Sequence, residues 1–134
     1  STFHSLNIEV WILTGNFQPA VGILANKLGI PSRRVITNKV FFDPAGNYLG
    51  FDSNNILANN GGKSIAIKKV TDKYKDGVVF VGDGATDLDT KDYVSLFVGF
   101  GGVVERELIK KNSEVYISEP SLRSLPRILE EKFT

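Results

Sequence analysis

Three aspartates that follow a short apolar stretch are the residues best suited to chemistry in this chain. The stretch "VVFVGDGATDLD" (78–89) carries Asp83, Asp87 and Asp89 on a turn that also contains two glycines. Carboxylate oxygens on such a turn suit a hard cation such as Mg2+, which keeps several waters in its shell. The alternative is that these aspartates only form the turn and cap a helix.

A second segment combines a hydroxyl group with a glycine. In "EVWILTGNF" (9–17), Thr14 ends a predicted strand, and Gly15 and Asn16 follow it directly before a predicted helix. A hydroxyl, a glycine that allows close approach and a helix N-terminus together form a suitable anion site. For Thr14 alone, a strand-end hydroxyl that is satisfied within the chain is the competing interpretation.

Lys63 is the third candidate. It stands in "GGKS" at the start of a predicted helix, where a cation opposes the helix dipole by roughly 0.3–1 kcal/mol. A solvated lysine is the common explanation for a lone lysine. Neutralisation of a phosphate explains this position better, because an anion site beside a magnesium site is how proteins hold phosphate esters.

Predicted strands and helices alternate along the chain. Short apolar runs predict strands at 9–14, 78–81, 94–100 and 115–117, and "DPAGN" (43–47) between β-rich segments predicts a hairpin. Helices are predicted at 63–75, 103–111 and from Ser121, and one more between an N-cap at Asn16 and a stop at Gly29. The last of these has Phe17, Val21, Leu24 and Leu28 on one face.

This alternation predicts an α/β fold, in which helices cover a parallel sheet. A length of 134 residues is typical of one domain. Ligands of such sheets bind beyond the carboxyl ends of the strands. We therefore expect Thr14, Lys63 and the aspartates to lie at the same end of the sheet.

Composition narrows the classes of function. The formal net charge of +1 gives no support for a nucleic-acid surface. There is no cysteine for a disulfide or thiolate site, and His4 is the only histidine. No stretch approaches the ~20 apolar residues that span a bilayer, so no membrane association is expected. The lack of a leader and of cysteine favours a cytoplasmic location.

Five segments carry a family resemblance: "LTGNF", "NYLGFD", "GGKS", "VGDGATDLD" and "GFGGVVERE". In order and spacing they are similar to the C-terminal part of phosphoserine phosphatases, which belong to the haloacid dehalogenase superfamily. The resemblance covers about residues 10–117. It implies a Rossmann-like parallel sheet with flanking helices and a β-hairpin insertion. It also implies Mg2+-dependent hydrolysis of phosphoserine to serine and phosphate, the last step of serine biosynthesis, through an aspartyl-phosphate intermediate.

The resemblance also assigns roles to single residues. Thr14, Gly15, Asn16 and Thr86 would bind the phosphate or substrate, and Lys63 would bind the phosphate and steady the charge of the intermediate. Asp83 would be a direct Mg2+ ligand, and Asp87 would orient the metal shell or the lysine. Thr14 replaces the more usual serine, and Asn16 stands where many relatives have glycine.

The first motif of this family is missing from the sequence. That motif places a nucleophilic aspartate and a second aspartate, as D-x-D-x-T/V, after a central strand, and neither "DLDTK" nor "VFFDPAG" supplies it. The implied central strand would lie between the predicted strands 9–14 and 78–81. The absence of methionine favours a chain that is part of a longer phosphatase, completed by an N-terminal segment or a partner chain. The alternative is a non-catalytic module that binds phosphate or Mg2+. The sequence leaves a homodimer open.

Overall fold

The computed structural model describes residues 2–58 and 61–133, and in them strands and helices alternate. The strands are β1 (Ile12–Phe17), β2 (Val35–Asn38), β3 (Val40–Phe42), β4 (Tyr48–Phe51), β5 (Val79–Gly82), β6 (Leu96–Phe100) and β7 (Val115–Ile117). The α-helices are α1 (Thr2–Ser5), α2 (Gln18–Lys27), α3 (Gly62–Thr71), α4 (Ala85–Leu88), α5 (Glu107–Asn112) and α6 (Leu125–Phe133). Short 3-10 turns lie at Ser32–Arg34, Ile56–Ala58 and Lys91–Tyr93.

The strands form three small sheets. Strands β1 and β2 pair in parallel, and β5, β6 and β7 form a second parallel sheet in that order. Strands β3 and β4 form an antiparallel hairpin around the turn that contains Asp43 and Gly46. The α/β class and the hairpin are therefore confirmed. Within the described residues, β1 and β5 belong to different sheets and do not pair with each other.

One apolar core joins the two parallel sheets. Its buried centre consists of Ile67 and Val70 from α3, Phe80 and Phe97 from β5 and β6, and Ile109 from α5. Residues of β1 and β2, among them Leu13 and Ile36, pack against the same centre. Burial of each such side chain stabilises the fold by about 1.5–3 kcal/mol. The core therefore packs residues of both parallel sheets and of α3 and α5 against one another.

The apolar face predicted for α2 is right at Val21 and wrong at Leu24 and Leu28. Val21 and Ala25 are its buried residues, whereas Leu24 and Leu28 are more than half exposed. The side chain of Phe17 lies outside the described residues. Apolar residues occur on several sides of this helix, so their spacing alone does not identify the side that packs against the sheet.

Several predicted boundaries also shift. The helix predicted at 103–111 begins only at Glu107, and the last helix begins at Leu125. The N-cap predicted at Asn16 is wrong because β1 continues through this residue and α2 begins at Gln18. Gly29, at a φ of 70°, does follow the end of α2, as expected for a stop signal. No helix in the described ranges has the length and apolar character needed to cross a membrane.

Candidate active site

Asp87 is fixed by the turn that precedes it. Its Oδ2 accepts hydrogen bonds from the backbone N–H groups of Asp83 and Gly84, both at 3.1 Å. The backbone carbonyl of Asp87 accepts a hydrogen bond of 2.6 Å from the hydroxyl of Thr90, a fully buried residue. The residue itself is buried. These bonds hold the second carboxylate oxygen, Oδ1, in one direction.

That oxygen is paired with Lys63. The Nζ of Lys63 lies 2.5 Å from Oδ1 of Asp87, and the two side chains are only 20% and 10% exposed. A pair withdrawn from water in this way requires further hydrogen bonds to offset the loss of solvation. The two N–H groups on Oδ2 supply them for the carboxylate. An ammonium has three donors, so contact with Asp87 leaves Lys63 with further donors for an anion.

Gly82, at the end of β5, lets Asp87 approach this closely. A Cβ added to Gly82 would lie 2.4 Å from the Cβ of Asp87 and 2.7 Å from its Cγ. Real side chains do not approach to such distances without movement, so a larger residue would displace the carboxylate. Gly62, before Lys63, has a similar role, since its Cβ would lie 2.0 Å from the carbonyl oxygen of Ile56.

The segment around Thr14 is an irregularity within β1. Leu13 pairs with Ile36, and the next matched pair is Phe17 with Asn38, so β1 contains extra residues at this point. The hydroxyl of Thr14 accepts a hydrogen bond of 3.1 Å from the N–H of Asn16. Bulges of this kind often lie beside active sites, where they redirect a side chain. The hydroxyl proton of Thr14 is not used in this bond and remains able to donate.

Asn38 links this bulge to the segment that leads to Lys63. Its Nδ2 donates to the carbonyl of Gly15 at 2.9 Å and to the carbonyl of Leu57 at 3.3 Å. Leu57 belongs to the 3-10 turn against which Gly62 packs. The bulge of β1, the 3-10 turn and the start of α3 are thus connected through described contacts.

Asp83, the residue that the resemblance implies as a direct metal ligand, has an accessible carboxylate. Its side chain is 51% exposed and lies 3.5 Å from the guanidinium of Arg106, which also donates to the carbonyl of Asp83 at 3.0 Å. Within the described residues, no group of three acidic, histidine or cysteine side chains could enclose a metal ion. Proteins often hold Mg2+ through one or two carboxylates together with water and substrate phosphate. Asp83 fits one such position, and the described residues do not complete the site.

The other candidates occupy different positions around this centre. Asp89 is exposed, and its backbone carbonyl, not its carboxylate, accepts a hydrogen bond from Ser64 at 3.0 Å. Thr86 is exposed on α4, next to Asp87. The resemblance implied that Asp87 orients either the metal shell or the lysine. In the structure, the carboxylate of Asp87 contacts Lys63.

Sequence reasoning missed two contributors, Asn38 and Arg106. Asn38 ends β2, the strand paired with β1, so the strand-end rule that selected Thr14 could have selected it as well. Arg106 lies in "GFGGVVERE", a segment that the resemblance included, but its spacing alone did not indicate a contact with Asp83.

Known proteins resemble this chain in sequence and in fold. No protein-family model matches the chain. Phosphoserine phosphatase from Bos taurus is 39% identical over 120 residues, which are 89% of this chain and 53% of that protein. A phosphoserine phosphohydrolase-like protein from Francisella tularensis superposes with a TM-score of 0.82 at 21% identity, over 96% of this chain and 58% of that one. A structure described as a phospho-aspartyl intermediate analogue of phosphoserine phosphatase has a TM-score of 0.76 at 20% identity, over 95% and 59%.

The chain therefore has the fold of solved phosphoserine phosphatases over almost its whole length, as the resemblance implied. Over 89% of its length the chain is similar in sequence to phosphoserine phosphatases. It spans about half the length of the curated relatives it matches.

Proposed function

We propose that the protein containing this chain hydrolyses phosphoserine to serine and inorganic phosphate, the last step of serine biosynthesis. The observation that carries the proposal is the Lys63–Asp87 pair, held at 2.5 Å beside the carboxyl end of β5. A lysine fixed by a buried carboxylate has a defined position, so its remaining donors can hold a phosphate without first being ordered. The similarity to phosphatases of this name supports phosphoserine as the substrate.

Thr14 and its neighbours supply the second part of the phosphate site in this proposal. The Thr14 hydroxyl is oriented by the N–H of Asn16 and donates its own proton to a phosphate oxygen. Gly15, whose carbonyl is held by Asn38, leaves room for the phosphate against the backbone. Thr86, exposed beside Asp87, would contact the phosphate from the other side.

Mg2+ is the proposed cofactor, and Asp83 its ligand in this chain. When bound, the ion would withdraw charge from the phosphate oxygens and so favour attack at phosphorus. Arg106 holds the carbonyl of Asp83 at 3.0 Å and thereby positions the carboxylate. Asp87 acts on the lysine, since both of its oxygens have other partners.

A segment outside Ser1–Thr134 would provide the nucleophile. Strands β1 and β5 belong to two different parallel sheets. This supports the proposal, because a strand placed between β1 and β5 would join the two sheets into one. The solved phospho-aspartyl analogue, whose fold this chain shares over part of its length, supports an aspartate as that nucleophile. Its carboxylate would form a bond to phosphorus while the bond between phosphorus and the serine oxygen breaks, and the second aspartate of the same motif would give that oxygen its proton. Water would then hydrolyse the aspartyl phosphate and release inorganic phosphate.

Release of phosphate from phosphoserine by the full-length protein in the presence of Mg2+ tests the proposal. Lys63→Met should lower kcat/KM by about 100-fold or more, since it removes a charge that stabilises the transition state. Lys68→Met is the matched control, because Lys68 is an exposed lysine of the same helix, and this variant should stay within about twofold of the wild type.

Two results would contradict the proposal. Equal effects of the two lysine substitutions would remove Lys63 from the site. A full-length protein that binds phosphate through Lys63 but hydrolyses no phosphomonoester would instead establish the non-catalytic module.

A further inference from the structure

Helix α4 consists of a single turn and depends on other contacts for its shape. One turn of helix is unstable in water by itself, because too few hydrogen bonds offset the ordering of its backbone. The turn nevertheless carries Asp87 and directly follows Asp83 and Gly84. At its N-terminal end, Oδ2 of Asp87 accepts hydrogen bonds from the N–H groups of these two residues. The geometry of the site therefore also depends on what holds the C-terminal end of α4.

Thr90 holds that end from the interior of the protein. It is fully buried, and its hydroxyl donates to the backbone carbonyl of Asp87 at 2.6 Å. The N–H of Thr90 donates to the same carbonyl at 3.0 Å. A carbonyl in the last turn of a helix has no partner within the helix, and here Thr90 supplies two donors. The backbone of Asp87 is thus held by a residue that water does not reach.

Ser64 joins the same end of α4 to α3. Its hydroxyl donates to the backbone carbonyl of Asp89 at 3.0 Å. Asp89 directly follows α4, and Ser64 lies in the first turn of α3, next to Lys63. The hydroxyl of a helical serine commonly bonds to the backbone of its own segment, whereas this bond crosses to a different element.

The ion pair and the Ser64 bond are two links between the same two elements. Lys63 reaches Asp87 through a flexible four-carbon stem, so this contact alone leaves α4 free to rotate about it. The hydroxyl of Ser64 is one carbon from its backbone and bonds to a backbone carbonyl, so it fixes α4 at a second point. Two points define both the distance between α3 and α4 and the rotation of α4. The direction in which Lys63 holds its remaining donors depends on that rotation.

We propose that Ser64 is a positioning residue of the phosphate site. Its bond to the Asp89 carbonyl fixes how α4 lies against α3, so that Asp87 directs the free donors of Lys63 toward the phosphate. Each contact in this arrangement joins two described residues of the chain, and none requires a segment outside Ser1–Thr134. The inference rests on the phosphate site proposed above, but not on the identity of the phosphomonoester.

Phosphate binding and turnover by the full-length protein test this role. Ser64→Ala should raise the Kd for inorganic phosphate, measured by calorimetry with Mg2+ present, by about 10-fold, and it should lower kcat for phosphoserine by a similar factor. Its Tm should stay within about 2 °C of the wild type, because alanine is a better helix former than serine and so offsets the lost hydrogen bond. A residue with a purely structural role would change Tm and leave phosphate affinity unaltered.

Two further variants serve as controls. Ser64→Thr keeps the hydroxyl, so both its Kd for phosphate and its kcat should stay within about threefold of the wild type. Thr71→Ala is the matched control, since the hydroxyl of Thr71 also donates to a backbone carbonyl, that of Lys68 at 2.9 Å, but at the far end of α3. This variant should bind phosphate and turn over within about twofold of the wild type.

Three results would overturn the proposal. They are an unchanged phosphate affinity in Ser64→Ala, equal losses of affinity in Ser64→Ala and Thr71→Ala, and a loss in Ser64→Thr as large as that in Ser64→Ala. The proposed function fails separately. A wild type that binds phosphate but does not hydrolyse phosphoserine would contradict that function, and the affinities of the variants would still decide the role of Ser64. A wild type that binds no phosphate would contradict both.

Discussion

Replacement of Asp87 by asparagine leaves Lys63 beside a neutral amide. The asparagine oxygen can still accept from the N–H groups of Asp83 and Gly84, so the shape of the turn is kept. Removal of one partner from a fully buried ion pair costs about 3–5 kcal/mol. The lysine side chain is 20% exposed, and water therefore relieves part of this cost. We expect the free energy of unfolding to fall by about 2–3 kcal/mol.

Thermal and urea unfolding of the full-length protein measure this loss. A change of that size lowers Tm by roughly 5–10 °C. Asp89→Asn is the control, because the same chemical change on an exposed carboxylate should alter stability by no more than about 0.5 kcal/mol. Adding Lys63→Met to Asp87→Asn should recover stability, since no unpaired cation remains.

The two single substitutions and the double form a cycle that isolates the coupling between the side chains. We expect a coupling above about 1 kcal/mol. Additive effects within about 0.5 kcal/mol, or an Asp87→Asn variant as stable as Asp89→Asn, would refute the assignment of Asp87 as the partner that holds Lys63.

Three further predictions concern the surrounding residues. Thr14→Ser should have little effect on turnover, whereas Thr14→Val should be severe, because only valine lacks the hydroxyl; steady-state kinetics that show equal effects would exclude a role for the hydroxyl. Asp83→Asn should lower turnover by orders of magnitude and raise the Mg2+ concentration needed for half-maximal rate, with an unchanged Tm as the sign of an intact fold. Gly82→Ala should destabilise the protein by about 1–3 kcal/mol in urea unfolding, because its methyl group would collide with Asp87; a variant of normal stability would show that the turn adapts easily.

The order of the elements could be predicted because local signals agree with the tertiary fold. Strand β7 (Val115–Ile117) lies where the sequence placed it, since a short apolar run there is bounded by polar residues. The hairpin was found because "DPAGN" favours a turn and apolar residues flank it. The buried side of α2 was predicted at Val21 but not beyond it. Apolar residues occur on several sides of this helix, and only packing against the sheet decides that Ala25 is buried and Leu24 is exposed.

The sequence predicted that Lys63 and Asp87 belong to one site, but it did not predict the bulge at Thr14 or the contact of Arg106. Lys63 and Asp87 were expected at the same end of the sheet from the strand-end rule, and the structure brings them into contact. Thr14 was placed at the end of a strand, but it lies inside a bulge, and the bulge depends on the pairing of β1 with β2. Arg106 reaches Asp83 from another loop, and such a contact leaves no local pattern in the sequence. A homodimer, a partner segment and a cytoplasmic location stay predictions.

A crystal structure of the full-length protein with phosphate and Mg2+ tests the central claim most directly. The account predicts a strand outside Ser1–Thr134 that is hydrogen-bonded to β1 on one side and to β5 on the other, and that ends in an aspartate facing the phosphate. The phosphate should lie within about 3.2 Å of the Thr14 hydroxyl and the Lys63 ammonium. Direct pairing of β1 with β5, or a phosphate bound away from both residues, would contradict it.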